Sequence, residues 1–351
     1  QIPVSHSLMG KGALPDDNPL VLGMTGFWGT ELVNQSCLKA DYIFALGTRF
    51  KEADCSSWYP GYTFNIPGSK VIHIDIEPAE IGRNYPTEIG VVADAKSALR
   101  VLNRVAKEMY PNGFKQPELK QKIADFRSQF KASNSAMQAS DAFPMMPERI
   151  LADVRKALPS DAIITTDVGW NKNGVGQQFD ILTPGSILTP GGFATMGFGP
   201  PGALGAKIAA PELVVASLVG DGGFGQNPAV LATAAARNLG VIWIIMNNNA
   251  FGTIAGLQQA HYGTTYGTVF PGSIGEQELE PDYASIARAY GVQGIRIGSA
   301  DELLPALEGA IASGKPTVLD VAMINNPTPT TGHWNILDIY SPDKDVSHVA
   351  T

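Results

Sequence analysis

The sequence predicts an α/β protein built from two doubly wound, mostly parallel sheets. Three observations carry that expectation. Short apolar runs rich in β-branched residues alternate with patches of helical periodicity along most of the chain. The runs are continuous and do not alternate with polar residues, as in Asp41–Leu46 (DYIFAL), apolar from Tyr42 on, and Val241–Met246 (VIWIIM), which is the pattern of strands covered on both faces. Finally, Val214–Val219 runs straight into Gly220-Asp221-Gly222-Gly223, a strand that ends in a glycine turn before a helix.

In chain order, Asp41–Leu46 and Lys70–Ile76 (KVIHIDI) read as buried parallel strands, and Ser97–Met109 repeats apolar residues at helical spacing. Residues 1–108 therefore read as a small βα domain. From 109 to 147 the composition shifts to Pro, Gln, Lys and Ser with one amphipathic segment, Leu119–Phe130, so this stretch is expected to be a connecting strap. A second βα series follows over 148–327. Pro147 opens its first helix at the position proline favours. Strands are expected at Ala162–Thr166, Val214–Val219, Val241–Met246 and Thr317–Val321, with Ala-rich helices at Gly202–Ala210 and Pro228–Asn238. The tail, 328–351, holds His333 and Trp334 in a Pro/Thr-rich setting and reads as a closing lid or a draped terminus.

Composition narrows the function classes. The 25 Lys and Arg residues are outnumbered by 33 Asp and Glu, and no basic run interrupts the net charge of −8, so a nonspecific grip on nucleic acid is not expected. Cys37 and Cys55 are too few for a disulfide scaffold or a thiolate metal site, and they fit a cytoplasmic protein. The apolar runs are strand-length, well short of the roughly 20 residues that span a bilayer, so no membrane partner is expected. Gln1-Ile2-Pro3-Val4 has neither an initiating Met nor a leader pattern, so residues 1–351 read as part of a larger protein.

The chemistry concentrates at two strand ends. Bare backbone N–H groups at Gly220-Asp221-Gly222-Gly223 suit a phosphate, yet Asp221 would repel it unless a cation sits between them. The next strand ends in Met246-Asn247-Asn248-Asn249-Ala250, and adjacent parallel strands deliver their C-terminal ends to one sheet edge. An Asn amide oxygen there can share the ion with Asp221. Mg²⁺ prefers such oxygen ligands, completed by phosphate and water.

Gly220-Asp221-Gly222, followed 27 positions after Asp221 by Asn248 as the second Asn of a pair, resembles the GDG…NN motif of thiamine diphosphate (ThDP) enzymes. Gly191-Gly192-Phe193-Ala194-Thr195-Met196-Gly197-Phe198-Gly199 is similar to the acetolactate-synthase-like segment that holds the aminopyrimidine by backbone groups. So are Leu8–Gly12, Pro15–Asp17, Gly47–Phe50 and His73–Gly82 to the central domain of the same enzymes. The resemblance implies a Rossmann-like central domain and a ThDP-binding fold. It implies that Asp221, Asn248 and the Ala250 carbonyl hold Mg²⁺. It also implies that Gly220, Gly222, Gly223 and Phe224 meet the diphosphate, that Ala194 and Met196 meet the cofactor rings, and that Met196 wedges the cofactor into a bent shape. Where relatives often carry a Gln-His pair after Val-Gly, this chain has Trp170-Asn171, which leaves Asn171 as a substitute contact. Gln258 and His261 lie where the family lines its active-site mouth, with a plain surface role as the other reading. Central domains of this family bind FAD, ADP or nothing. Asp75 or Glu77 could meet a ribose hydroxyl, and Lys51-Glu52-Ala53-Asp54 in place of an Asp-Asp-Arg stretch argues against FAD.

The implied activity is ThDP- and Mg²⁺-dependent decarboxylation and carboligation of 2-oxo acids or related carbonyl compounds. Alternatives within the same chemistry are a cyclic dione hydrolase, a sulfoacetaldehyde acetyltransferase, and a 2-hydroxyacyl-CoA lyase or oxalyl-CoA decarboxylase. The last pair would need basic residues near the lid, where the tail offers Lys344. A catalytically silent ThDP- or nucleotide-binding module is a reading from a different class. Gly197-x-Gly199-x-x-Gly202 also fits a dinucleotide fingerprint, although a poor strand precedes it and two prolines fill the turn. The family further needs a Glu from an N-terminal pyrimidine-binding domain, usually of a partner subunit. None of Glu148, Glu276, Glu278 or Glu280 stands in a matching context, so that domain and a second subunit, in a homodimer or homotetramer, are the expected partners.

Overall fold

A computed structural model describes residues 1–270, 273–274, 277–278 and 281–325. The lid expectation at His333 and Trp334, together with Lys344, Glu276 and Glu280, lies outside the described residues. Among the described residues the chain divides into two units, one of residues 1–10 and 18–130, the other of residues 11–17 and 131–325. No helix among the described residues is long and apolar enough to cross a membrane.

In the first unit β1 (Val4–His6) pairs in parallel with β2 (Val21–Met24), and α1 (Glu31–Leu38) starts at Thr30, whose side chain accepts from the Val33 N–H. A three-stranded parallel sheet follows, formed by β3 (Tyr42–Leu46), β4 (Lys70–Asp75) and β5 (Ile89–Val92), with the short α2 (Glu52–Cys55) between its first two strands. α3 (Ala95–Met109) is capped by Asp94, which accepts from the Ser97 N–H. Phe50 anchors the core, its ring edge-on to Phe64, His73 and Tyr85. The expectation that both strands are buried holds for β4 and fails for β3. β3 is an edge strand, and Tyr42 and Phe44 are exposed on one of its faces.

The expected strap is mostly helix. α4 spans Pro117–Gln138, and its polar sequence still buries Ile123 and Asn134. Apolar content alone understates a helix that touches the rest of the fold by a narrow stripe.

The second unit begins its own α/β series with α5 (Pro147–Ala157) and β6 (Ile163–Thr166), then α6 (Trp170–Gln178), β7 (Ile187–Leu188) and α7 (Gly199–Ala209). Next come β8 (Val215–Gly220), the one-turn α8 (Asp221–Phe224), α9 (Val230–Arg237), β9 (Val241–Asn247) and α10 (Gly252–Tyr262). A small antiparallel pair, β10 (Ser273–Ile274) and β11 (Gln277–Glu278), precedes α11 (Tyr283–Ala289), β12 (Gln293–Ile297), α12 (Ala300–Ser313) and β13 (Thr317–Ala322). The six-stranded sheet is parallel throughout, in the order β12-β13-β9-β8-β6-β7.

Alternation along the central strands supplies both faces of this sheet. Ala216, Leu218, Ile242, Ile244 and Met246 pack with α5, α6 and α12, while Val215, Val219, Val241, Trp243 and Ile245 pack with α7, α9 and α11. Each large side chain so buried contributes about 1.5–3 kcal/mol. β12 (QGIRI) and α6 (WNKNGVGQQ) escape sequence reading because one is a half-polar edge strand and the other is rich in Gly and Asn. Residues 11–17, read from sequence as part of the first domain, belong to the second unit. The Asp16 N–H donates to the Ile181 carbonyl at 2.8 Å, and its buried carboxylate accepts from Lys11 Nζ at 2.8 Å and Ile181 N at 2.7 Å.

Candidate cofactor and metal site

β8 and β9 are hydrogen-bonded parallel neighbours with Gly220 opposite Met246, so Asp221 and the Asn triplet leave the sheet at one edge. Asn249 takes a left-handed φ of 50°, and the chain reverses there, with Ala250 bridged to Val269. The Asp221 carboxylate is 3% exposed. One terminal atom of the Asn248 carboxamide lies 3.1 Å from Asp221 Oδ1 and 2.9 Å from the Ala250 carbonyl oxygen. The other terminal atom lies 3.4 Å from Asn325 Oδ1, an acceptor.

That amide has two self-consistent orientations. With nitrogen inward it donates to Asp221 and Ala250. With oxygen inward, three acceptor oxygens face one another while the nitrogen donates to Asn325, and a cation would satisfy all three at once. A carboxylate, an amide oxygen and a carbonyl make a hard oxygen set of the kind that fits Mg²⁺. No trio of His, Cys, Asp and Glu side chains gathers among the described residues, so a metal centre of that other kind is not formed there. Burial raises the Asp221 pKa to about 6, against backbone N–H groups of Gly222, Asp221, Asn248 and Ala250 that lower it. A bound cation would hold the group ionised.

The glycines next to Asp221 are dictated by close approach. A Cβ at Gly222 would come within 2.6 Å of the Phe251 ring and 3.0 Å of Met196 Cε, and one at Gly223 within 2.6 Å of Asp167 Oδ1. Met196 thus packs against the glycine turn. Its loop carries three left-handed residues, Gly192, Ala194 and Gly197, of which Ala194 at φ 49° is strained. Phe224 is fully buried with its ring edge-on to Tyr283, so only its backbone faces the turn.

The other candidate residues are committed to local structure. Asn171 Oδ1 accepts from the Asp167 N–H at 2.9 Å and its Nδ2 donates to the Val168 carbonyl, so its carboxamide ties the turn after β6 together. Gln258 pins the loop after α10: its Oε1 accepts from Tyr266 N and Thr268 Oγ1, and its Nε2 donates to the Tyr266 carbonyl. His261 is exposed and stacks edge-on against Tyr262. In the first unit Asp75 accepts from the Glu77 N–H and Glu77 accepts from the Ala79 N–H, so both carboxylates cap the turn at Pro78–Glu80. The dinucleotide reading loses its donors, because the Gly197 and Gly199 N–H groups both point at Asp167.

Two site residues escaped sequence reading. Asp167, at the end of β6, accepts from three backbone N–H groups around the glycine turn. Asp320, 2% exposed in β13, accepts from Asn247 Nδ2 at 3.1 Å and Tyr283 N at 3.0 Å. Its signal was a lone acid inside the apolar run TVLDVA, a buried charge that needs partners.

Residues 167–321 match the family description "Thiamine pyrophosphate enzyme, C-terminal TPP binding domain", and residues 1–102 match "Thiamine pyrophosphate enzyme, central domain". The chain belongs to the thiamine pyrophosphate enzyme family. Its resemblance is to the acetolactate-synthase-like members. It is 37% identical over 331 residues to a probable acetolactate synthase large subunit of Methanocaldococcus jannaschii, covering 92% of this chain and 53% of that protein. It is 31% identical over 326 residues to the chloroplastic acetolactate synthase 1 of Zea mays, covering 91% of this chain and 49% of that one. A Haemophilus influenzae acetolactate synthase large subunit is 31% identical over 312 residues, covering 89% and 52%. The chain therefore spans about half the length of these curated relatives. Within the family fold, the two strand tips, the glycine turn and the Met196 loop all lie in the second unit.

Proposed function

We propose that this chain is the cofactor-binding part of a ThDP- and Mg²⁺-dependent carboligase or decarboxylase acting on 2-oxo acids or related carbonyl compounds. The reading rests on the Asp221 carboxylate, the Asn248 carboxamide and the Ala250 carbonyl, which converge at two neighbouring strand tips. Asp221, Asn248 and the Ala250 carbonyl would hold Mg²⁺, and the backbone N–H groups of Gly223 and of Gly222, which in the metal-free chain turns to Asp221, would meet the diphosphate. Met196, against Gly222, would support the thiazolium ring and keep the cofactor bent. When bound, ThDP supplies an acidic carbon that adds to a carbonyl and accepts the electron pair released by decarboxylation or C–C cleavage. The chain's own contribution is orientation and exclusion of water, with Phe251 and Phe270 packed edge to face beside the turn.

The reading includes a Glu from a pyrimidine-binding domain outside residues 1–351, in a dimer or tetramer, and it draws support from the coverage of only half of each relative. It places the enzyme in the cytoplasm, in keeping with the two buried free thiols of Cys37 and Cys55. Glu77 and Asp75 are turned to local caps, and FAD or ADP is not part of the reading.

Calorimetric titration with ThDP, with and without Mg²⁺, tests the assignment. Binding that depends on Mg²⁺ is the expected result, and binding of NAD without Mg²⁺ would overturn it. The isolated chain is expected to decarboxylate no 2-oxo acid until a pyrimidine-binding domain is added; rapid turnover by the isolated chain would remove that part of the reading.

A further inference from the structure

Asp167 stands outside every role assigned above, yet it touches each segment around the glycine turn. The residue is fully buried. Its Oδ1 accepts from the Val168 N–H at 2.7 Å and the Gly197 N–H at 3.1 Å, and its Oδ2 accepts from the Gly199 N–H at 2.7 Å. Gly223 packs so closely that a Cβ there would lie 2.6 Å from Asp167 Oδ1. Its own N–H meets the Asn171 carboxamide. One carboxylate therefore joins the turn after β6, the loop carrying Met196 and the turn carrying Asp221.

The chemistry requires an acid here. Three N–H donors converge on two oxygens, and a carboxylate accepts on both while a carboxamide must present an NH₂ to at least one of them. The loop it holds needs holding. Ala194 and Gly197 are left-handed at φ 49° and 85°, and Gly199 opens α7, where the first N–H groups have no partner in the helix. Asn227 Nδ2 grips the same loop from the other side, at the Gly197 carbonyl, 2.7 Å away. Lys172 answers the buried charge: burial lowers its pKa and the nearby Asp167 pulls it back up.

We propose that Asp167 is a positioning residue that locks the Met196 loop against the Asp221–Gly223 turn before any cofactor arrives, so that ThDP meets a preformed cradle. The role rests on the ThDP reading for its purpose, but the locked loop is a property of the apo protein. An enzyme gains from such a lock because the ordering cost is met at folding and not at binding.

The test uses the whole chain and two readouts. Amide hydrogen exchange of the apo wild type should show Gly197 and Gly199 protected, although neither lies inside regular structure with an intrahelical partner. In Asp167→Asn, exchange at 191–199 should accelerate by roughly tenfold or more while β8 and β9 keep wild-type protection. Calorimetry on the same variant should show Mg²⁺-dependent ThDP affinity reduced by roughly tenfold or more. Free exchange at Gly197 and Gly199 in the wild type would overturn the proposal, and so would unchanged ThDP affinity in the variant or acceleration spread evenly over the unit. If Asp167→Asn does not fold, the wild-type exchange decides alone. If the wild type binds no ThDP, the function reading fails, and the exchange arm still judges whether Asp167 locks the loop.

Discussion

Asp320 accepts a hydrogen bond from Asn247 Nδ2 at 3.1 Å, which fixes the residue immediately before the amide proposed to meet the metal. The same carboxylate takes the Tyr283 N–H, and the Tyr283 hydroxyl reaches the Asp221 carbonyl at 3.5 Å. Replacing Asp320 by Ala leaves the buried Tyr283 N–H unpaired, at a cost of about 1–3 kcal/mol, and removes the partner of the half-buried Asn247 carboxamide. Urea unfolding should show that loss, and Mg²⁺ affinity should fall by roughly tenfold because Asn248 is no longer steadied.

Asp221→Asn should separate stability from binding. Burial holds the Asp221 pKa near 6, above the ordinary 3.8, so at pH 7 the ionised group works against the metal-free fold. Removing the charge is expected to leave the apo protein as stable or more stable, by at most about 3 kcal/mol, while Mg²⁺-dependent ThDP binding disappears. Thermal melts of the apo protein and calorimetry of the same sample check both halves, and unchanged affinity would count against the metal assignment.

The pH dependence of the first unit follows from Asp54, which burial raises from 3.8 to about 6. The folded form holds the proton more tightly than the unfolded one, so this contribution is present below about pH 4 and is lost as pH rises through about 6. Asp54→Asn should therefore match the wild type near pH 4 and exceed its stability above pH 6, by at most about 3 kcal/mol. Chemical denaturation across that range reads the difference directly; a gap that shrinks with rising pH would contradict it.

Gln258 makes three hydrogen bonds to Tyr266 and Thr268, so its first duty is to the loop that follows α10. Gln258→Ala should speed proteolytic cleavage within 263–268, since each lost bond is worth about 1 kcal/mol, and should leave ThDP affinity unchanged. A large loss of ThDP affinity without faster cleavage would instead return Gln258 to the cofactor.

Much of the site was legible because it is carried by short stretches of backbone. Gly220-Asp221-Gly222-Gly223 and Asn247-Asn248-Asn249 each close an apolar strand, and parallel neighbours must release their ends at one edge. Supporting residues were not legible in this way. Asp167 and Asp320 act on partners 30 to 73 positions away in sequence, from Asp167 to Gly197 and from Asp320 to Asn247, and no local pattern marks such pairs. Asn171, Gln258, Asp75 and Glu77 show the converse: each has the right chemistry for a ligand, and each spends it on a nearby turn.

The sequence by itself determined the α/β class and the strand ends that bear Asp221 and the Asn triplet, because periodicity and glycine turns are local constraints on backbone shape, while the choice of Asn248 and the Ala250 carbonyl as metal ligands came from the motif resemblance. Only the tertiary structure decided which carboxylates are buried, which amides are already occupied, and that residues 11–17 pack with the second unit. Burial and hydrogen-bond pairing arise from segments distant along the chain, and they set whether a polar side chain is held as scaffold or left available to bind.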